Sequence, residues 1–241
     1  MRGFIDGEYQ DGEVRGRVFV CGQTGCGKTT EMLRLIGQCS GGAVFFDTTG
    51  RHEIRGAVIV HEPGELERAL LARIGKGSEH FRVLYQPWGG DLIEHFRHAC
   101  RIVELIASIT FAIDEVDSFC GPEWGSSHVP AELYKLAHFG RHAGKYWRGK
   151  RRGVALLYTA RIPTSVARVL SSQAYEMRLF HEHESSYLNY YAKGPLGKDN
   201  ARKLLALRNY QFYIWKNDGK PMALAGGDHN GNKGNKAGNN F

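Results

Sequence analysis

A phosphate-loop pattern near the N-terminus constrains the fold of this chain more than any other feature. Residues 20–30 read VCGQTGCGKTT and contain the pattern G-x-x-x-x-G-K-[ST]. Such a loop requires a buried strand that runs into glycine-rich backbone and a helix that begins at the lysine, because several N–H groups must converge on phosphate. The apolar run RVFVCG (17–22) and the helical pattern KTTEMLRLIGQC supply both elements. The predicted nucleotide-binding residues are Gly22, Gln23, Thr24, Gly25, Cys26, Gly27, Lys28, Thr29 and Thr30.

A second segment carries the acids that nucleotide hydrolysis requires. Residues 109–119, ITFAIDEVDSF, form an apolar strand pattern that ends in Asp114 and Glu115. We expect this strand to neighbour the phosphate-loop strand, although two solvated acids at a strand end are the alternative interpretation. Lys28 would reach the β- and γ-phosphates, Thr29 and Asp114 would bind Mg²⁺, and Glu115 would orient and polarise the attacking water. ATP and Mg²⁺ are the predicted cofactors.

Strand-like and helical runs alternate along most of the chain and predict an α/β fold. The sheet is expected to be mostly parallel with helices on both faces, followed by a C-terminal helix near 198–207 and a hairpin of two edge strands that turns at Asn217-Asp-Gly. We expect three parts: an N-terminal turn or hairpin over 1–16, one ATPase domain over 17–225, and a disordered Gly/Asn/Lys tail over 226–241. The strand-like runs are 17–22, 43–46, 57–60, 81–85, 110–113, 154–158 and 177–180, and the helical ones include 91–108 and 130–139.

The positive charge of the chain is concentrated in one segment. The formal net charge is +7, and the stretch from Arg141 to Arg152 holds six Lys or Arg and no acid. Contacts from such a segment to a nucleic-acid backbone would be independent of base sequence, whereas a solvated basic loop is the alternative interpretation. The candidate DNA-binding residues are Lys145, Arg148, Lys150, Arg151 and Arg152.

Several classes of protein are disfavoured by simple counts. No apolar run approaches the length of a membrane span, and the first residues lack a signal-peptide core, so a cytoplasmic location is expected. Five cysteines include no C-x-x-C pair and are predicted to be reduced thiols. A GTPase would need the motif N-K-x-D, which KNDG (216–219) does not supply, and the L-S-G-G-Q signature of ABC transporters is absent.

The order of five segments resembles the FtsK/HerA superfamily of ring ATPases. The segments are GQTGCGKTT, FAIDEVDSF, LAHFGRHAG, VALLYTARIPTSVARVLSSQAYEMRLFHE and LLALRNYQFYIWKNDGK, and the resemblance spans roughly residues 17 to 220. Within the superfamily, the chain is most similar to the small genome-packaging ATPases of tailless double-stranded DNA viruses with an internal membrane, the tectivirus-like group.

The resemblance implies a P-loop motor that translocates double-stranded DNA during genome packaging. Its members form rings, commonly hexamers, with ATP at each subunit boundary and duplex DNA in the pore. The implied location is the host cytoplasm or the packaging vertex, with capsid or membrane vertex proteins as further partners and no small-molecule substrate beyond ATP. Arg141 matches the Gly-Arg-His of the family and would project toward the γ-phosphate of the neighbour, whereas a charge near a helix C-terminus that interacts with the helix dipole is the alternative interpretation. Relatives often carry a Gln that senses the γ-phosphate, and Arg161 is its nearest counterpart here.

Two other functions remain open at the level of sequence. One is a P-loop phosphotransferase whose segment 141–152 closes over a small acceptor, and the other is a module that holds an assembly together with bound nucleotide and does not hydrolyse it. The pair Asp114-Glu115 and the lack of a clear acceptor pocket argue against the phosphotransferase, and only the intact Glu115 argues against the assembly module.

Overall fold

The structure is a computed structural model that describes residues 9–10, 13–14, 16–39, 41–75, 80–106, 109–140, 153–194 and 196–226. These ranges contain eleven strands and seven α-helices. The strands are β1 (Tyr9–Gln10), β2 (Glu13–Val14), β3 (Arg17–Cys21), β4 (Gly42–Phe46), β5 (Val58–Val60), β6 (Arg82–Tyr85), β7 (Ile109–Ile113), β8 (Val154–Ala160), β9 (Glu176–Phe180), β10 (Gln211–Lys216) and β11 (Ala223–Gly226). The helices are α1 (Lys28–Gln38), α2 (Pro63–Gly75), α3 (Leu92–Ile106), α4 (Ala131–Phe139), α5 (Arg168–Ser171), α6 (Ser185–Lys193) and α7 (Lys198–Lys203).

Nine strands form one sheet in the order β11-β10-β9-β3-β8-β7-β4-β6-β5. The seven strands from β9 to β5 are parallel, whereas β10 and β11 are antiparallel to their neighbours. Strands β1 and β2 form a separate antiparallel pair within the segment 1–16. The predicted α/β class with a mostly parallel sheet is confirmed.

Both faces of the sheet are covered, which explains why its central strands are mostly apolar on both faces. Strands β4, β7 and β8 are buried along their whole length. Helix α1 packs on one face through Met32, Leu35 and Ile36. Helices α2, α3, α4 and α6 cover the other face together with α7. In the described ranges no helix is both long enough and apolar enough to cross a membrane.

Two expectations about strand neighbours are corrected. Strand β8 lies between the phosphate-loop strand β3 and the acid-bearing strand β7, so these two strands are not adjacent. The crossover connections of a parallel sheet allow a late strand to insert between two earlier ones, and the local sequence does not encode this order. In the C-terminal hairpin only β11 is an edge strand, because β10 pairs with β9 on its other side.

The carboxyl ends of the parallel strands meet at one edge of the sheet. In sheet order, the residues that follow β6, β4 and β7 are Gln86, Asp47 and Asp114, while Thr159 lies near the end of β8 and Gly22 follows β3. Ligands of open α/β sheets bind outside these ends. This edge is therefore the place to look for a functional site.

Candidate nucleotide site

The loop between β3 and α1 has the backbone of a phosphate cradle. Gly22, Gly25 and Gly27 all have positive φ angles, of 151°, 81° and 107°. A Cβ atom on Gly27 would lie 2.6 Å from Cδ1 of Tyr210, so this position also requires glycine for space. Among the described residues no side chain caps the N-terminus of α1, and its first N–H groups are therefore available to an anion.

Lys28 is buried inside this loop. Its Nζ donates a hydrogen bond of 2.7 Å to the carbonyl oxygen of Gln23. The Gln23 amide in turn donates to Glu182 Oε1 at 3.4 Å and contacts His183 after β9. Thr24 and Gly25, at the tip of the loop, are exposed. The lysine thus lies within the curve of the loop, where it can reach phosphate oxygens.

Thr159 connects the two acids to the rest of the site. Its side chain is fully buried on β8, and its Oγ1 donates to Asp114 Oδ1 at 2.6 Å. The same oxygen accepts the backbone N–H of Glu115 at 2.8 Å. Oγ1 of Thr29, in the first turn of α1, lies 3.5 Å from Asp114 Oδ1. The strand that separates β3 from β7 therefore supplies the hydroxyl that orients both acids.

Glu115 adopts a backbone conformation that is uncommon for a residue other than glycine, with φ of 53°. Its Oε2 lies 3.3 Å from Nη2 of Arg161, which follows β8. The backbone N–H groups of Arg161 and Ile162 both donate to Asp117, and this fixes the start of the loop after β8. Burial raises the pKa of Glu115, and the nearby Arg161 guanidinium partly offsets that rise.

Asp47 and His52 form a pair beside the acids that sequence reasoning missed. Asp47 is completely buried after β4 and accepts from Thr49, Gln86 and both the backbone and ring N–H of His52. Burial alone would raise the pKa of Asp47, but these hydrogen bonds hold it below the ordinary value. The hydrogen bond that the His52 ring donates to Asp47 raises the pKa of His52, and the negative charges of Asp47, Asp114 and Glu115 add to that rise despite burial. The only local signal was a lone Asp after the apolar run AVFF.

Mg²⁺ fits the residues at this edge of the sheet. Asp47, His52 and Asp114 each offer a ligand atom, and these atoms lie within 4.8 Å of one another. Asp47 already accepts five hydrogen bonds, so its oxygens are less available to a cation. The Thr29 hydroxyl and the Asp114 carboxylate offer the hard oxygens that Mg²⁺ prefers. Burial raises the pKa of Asp114, and a bound cation would favour its ionised form. Thr29 and Asp114 are therefore the better candidate ligands.

Several predicted site residues lie outside the described ranges. These are Arg141 and the five basic residues Lys145, Arg148, Lys150, Arg151 and Arg152. Helix α4 ends at Phe139, directly before this segment. The tail is predicted over 226–241, but Gly226 is the last residue of β11, and residues 227–241 lie outside the described ranges. All five cysteines are free thiols, as predicted.

Comparisons with known proteins rest on structure alone. No family model matches the sequence, and no curated protein is similar to it. The genome packaging NTPase B204 of Sulfolobus turreted icosahedral virus 2, in complex with AMPPCP, superposes with a TM-score of 0.66 at 15% identity, over 87% of this chain and 96% of that one. The chain has the fold of this packaging NTPase.

Two further structures support the same assignment of fold. B204 of Sulfolobus turreted icosahedral virus, described as a DNA-packaging ATPase, has a TM-score of 0.60 at 17% identity, over 89% of this chain and 98% of that one. The bacterial conjugative coupling protein TrwB has a TM-score of 0.55 at 10% identity, over 87% and 84% of the two chains. The fold that the FtsK/HerA resemblance implied is thereby confirmed.

Proposed function

We propose that this protein is an ATP-hydrolysing motor that translocates double-stranded DNA, and that it serves viral genome packaging. The observation that carries the proposal is the convergence of Lys28, Thr29, Asp114 and Glu115 at one sheet edge, with Thr159 between the two strands. The fold is shared with a virus packaging NTPase and with a conjugative coupling protein. The basic segment 141–152 adds the charge that a polyanion would require.

Each residue would have a separate task in hydrolysis. The uncapped start of α1 and Lys28 would bind the phosphate oxygens, and the hydroxyl of Thr29 and carboxylate of Asp114 would hold Mg²⁺. Bound Mg²⁺ would neutralise charge on the β- and γ-phosphates. Glu115 would orient the attacking water and accept its proton, and Thr159 keeps the Glu115 backbone in place for that role.

Arg161 would exchange partners when nucleotide binds. It is paired with Glu115 at 3.3 Å, and nearly half of its side chain is exposed. A guanidinium in this place can bind γ-phosphate oxygens, which would release the Glu115 carboxylate to contact water. Arg161 would thus take the place of the sensing Gln of the relatives.

The remaining parts of the proposal concern assembly and partners. We propose a homo-oligomeric ring, most simply a hexamer, in which ATP binds at subunit boundaries and Arg141 reaches the site of its neighbour. Residues Lys145, Arg148, Lys150, Arg151 and Arg152 would contact DNA phosphates. The motor would act in the host cytoplasm or at the packaging vertex of the virion, beside capsid or membrane vertex proteins.

ATP turnover with and without duplex DNA tests the proposed function. We expect hydrolysis by the wild type to rise when duplex DNA of any sequence is added. Lys28→Ala should lose nucleotide binding, because it removes the side-chain cation of the loop. Glu115→Gln should bind ATP and hydrolyse almost none, since an amide does not accept the proton of the water.

Two outcomes would contradict the proposal. Turnover that needs a small acceptor and ignores DNA would identify a phosphotransferase, and tight ATP binding with no turnover under any condition would identify an assembly module.

Duplex binding at several salt concentrations tests the basic segment. Neutral residues at Lys150, Arg151 and Arg152 should weaken binding to DNA of any sequence, because fewer phosphates are neutralised. The slope of log affinity against log salt should fall by about 0.9 for each phosphate that the variant no longer neutralises. An unchanged affinity and slope would show that this segment is a solvated loop.

A further inference from the structure

The aromatic residue Tyr210 lies directly on the phosphate loop. Its backbone N–H donates to the carbonyl oxygen of Cys26 at 2.9 Å. One edge of its ring, formed by Cδ1 and Cε1, occupies the space where Gly27 lacks a side chain. The residue is nevertheless 38% exposed, so its packing against the loop does not bury it.

The backbone of Tyr210 is held in a conformation that its side chain disfavours. Its φ is 66°, in the left-handed region, where a bulky residue is uncommon. In the described ranges only Glu115, His128 and Tyr210 combine a side chain with a positive φ, and two of the three border the nucleotide site. A turn closed by hydrogen bonds between Arg208 and Gln211 holds this conformation. Backbone strain of this kind concentrates where function requires a fixed side chain.

The order of strands gives the direction in which a bound nucleotide would lie. Asp114 and Glu115 follow β7, which lies beyond β8, and Oγ1 of Thr29 in the first turn of α1 lies 3.5 Å from Asp114, so the γ-phosphate would lie on the β8 side of β3. The α-phosphate and the nucleoside then extend to the other side of β3, where β9 and β10 lie. Tyr210 directly precedes β10 at this edge of the sheet.

We propose that Tyr210 is the base-binding residue of this site and that its ring stacks on the nucleobase of the bound triphosphate. The inference rests on the proposed nucleotide site and goes beyond it, because the phosphate loop by itself does not contact the base. Stacking on an aromatic ring is tolerant of base identity, and the ring of Tyr210 by itself therefore does not select one nucleobase over another.

Binding of ATP is compared with binding of inorganic tripolyphosphate, which has the phosphates and no base. Calorimetric titrations in the presence of Mg²⁺ would use the wild type, Tyr210→Ala, Tyr210→Gly and Tyr210→Phe. We expect Tyr210→Ala and Tyr210→Gly to weaken ATP binding by about 5- to 150-fold and to leave tripolyphosphate binding within about twofold. Tyr210→Phe should bind ATP like the wild type, because stacking does not use the hydroxyl.

The glycine variant and a surface control separate stacking from folding. Glycine adopts a φ of 66° freely, so Tyr210→Gly removes the ring without adding backbone strain. Tyr134→Ala removes an equally exposed tyrosine from α4 and should change neither titration. Equal weakening of ATP and tripolyphosphate in the Tyr210 variants would show that the ring only supports the loop, and unchanged ATP binding would show that it does not meet the base.

The wild type distinguishes failure of this inference from failure of the proposed function. A wild type that binds ATP no more tightly than tripolyphosphate has a working phosphate loop and no base contact, which overturns the role of Tyr210 alone. A wild type that binds neither ligand overturns the nucleotide site itself.

Discussion

At the scale of single residues, one hydroxyl group makes hydrogen bonds with both acids of the candidate site. Thr159 Oγ1 makes two hydrogen bonds, one to the carboxylate of Asp114 and one from the backbone of Glu115. Neither acid touches the phosphate-loop strand through its own backbone, because β8 intervenes. The position of both acids relative to Lys28 therefore depends on this side chain.

Thr159→Val should impair hydrolysis more than binding. Valine has nearly the same shape but leaves the Glu115 N–H without its partner, which costs about 1–3 kcal/mol of stability. Loss of such a supporting hydrogen bond typically lowers activity by about 10–100-fold. The measurements are ATP turnover and the free energy of unfolding.

Thr110→Val is the matched control for this variant. Thr110 is also a buried threonine, and it lies near the opposite end of β7 from the acids. The Thr110→Val protein should lose stability without a comparable loss of ATP turnover. Equal effects of the two variants on turnover would contradict a positioning role for Thr159.

His52 should give the folding stability a measurable pH dependence. Its pKa is raised in the folded state, above the ordinary value of 6.5, by the hydrogen bond with Asp47 and the charges around it. The His52–Asp47 pair therefore stabilises the folded state fully below pH 6.5, and this stabilisation is lost as the pH rises through the folded-state pKa of His52. His52→Gln should cost about 1–3 kcal/mol near pH 5.5, and the cost should shrink at higher pH.

The experiment is urea unfolding in EDTA from about pH 5.5 to 9, so that no cation competes for the neighbouring acids. His61→Gln is the control for the loss of a ring hydrogen bond, because the ring of His61 bonds to the carbonyl oxygen of Gln86. A difference between wild type and His52→Gln that does not vary with pH would rule out the charged pair as its source.

At the scale of elements, a buried ion network joins α1 to β9. Arg178 on β9 pairs with Glu31 in the first turn of α1 and with Glu176 at 2.7 Å. Lys216 on β10 lies 3.7 Å from Glu176, and Arg34 pairs with Glu31 at 2.7 Å. Glu31 is an acid close to the phosphate-binding turn, so its neutralisation by Arg178 also favours an anionic ligand there.

Arg178→Met should destabilise the protein by about 3–5 kcal/mol, because it removes the buried cation and leaves two buried carboxylates with only the exposed cations Arg34 and Lys216 beside them. Adding Glu31→Gln and Glu176→Gln to the variant should recover part of that loss, since the uncompensated charges are removed. Arg97→Met, which breaks partly exposed ion pairs with Glu94 and Glu132, should cost no more than about 1 kcal/mol. A small effect of Arg178→Met in chemical unfolding would mean that water reaches this network.

At the scale of the whole molecule, the proposed ring has active sites shared between subunits. Helix α4 follows the acids and ends at Phe139, two residues before Arg141. A guanidinium supplied by a neighbour stabilises charge on the γ-phosphoryl group and contributes about 10³–10⁵ in rate where it has been measured. Arg141→Ala should therefore bind ATP nearly normally and hydrolyse it very poorly.

Mixing two inactive variants tests whether the site is shared. Arg141→Ala and Glu115→Gln should each be inactive, through opposite sides of the same boundary. In a mixed ring some boundaries carry both changes and others carry neither, so part of the turnover should return. No recovery at any mixing ratio would show that Arg141 acts within its own subunit or not at all.

Local sequence determined the phosphate loop, its flanking strand and helix, and the acids at the end of β7. The strand RVFVCG, the glycines of the loop and the start of α1 at Lys28 follow from neighbouring residues, and so do the acids that end β7. The alternation of apolar strands with amphipathic helices predicted the α/β class, because burial on both faces explains strands whose residues are mostly apolar on both sides.

Only the tertiary structure decided which distant residues meet. The insertion of β8 between β3 and β7 placed Thr159 against Asp114, and the end of β4 placed Asp47 and His52 beside them. Tyr210 lies far beyond the phosphate loop in the chain, yet its ring packs against Gly27. Strand order follows from crossover connections and core packing, which are non-local, whereas periodicity and turn chemistry report only on adjacent residues.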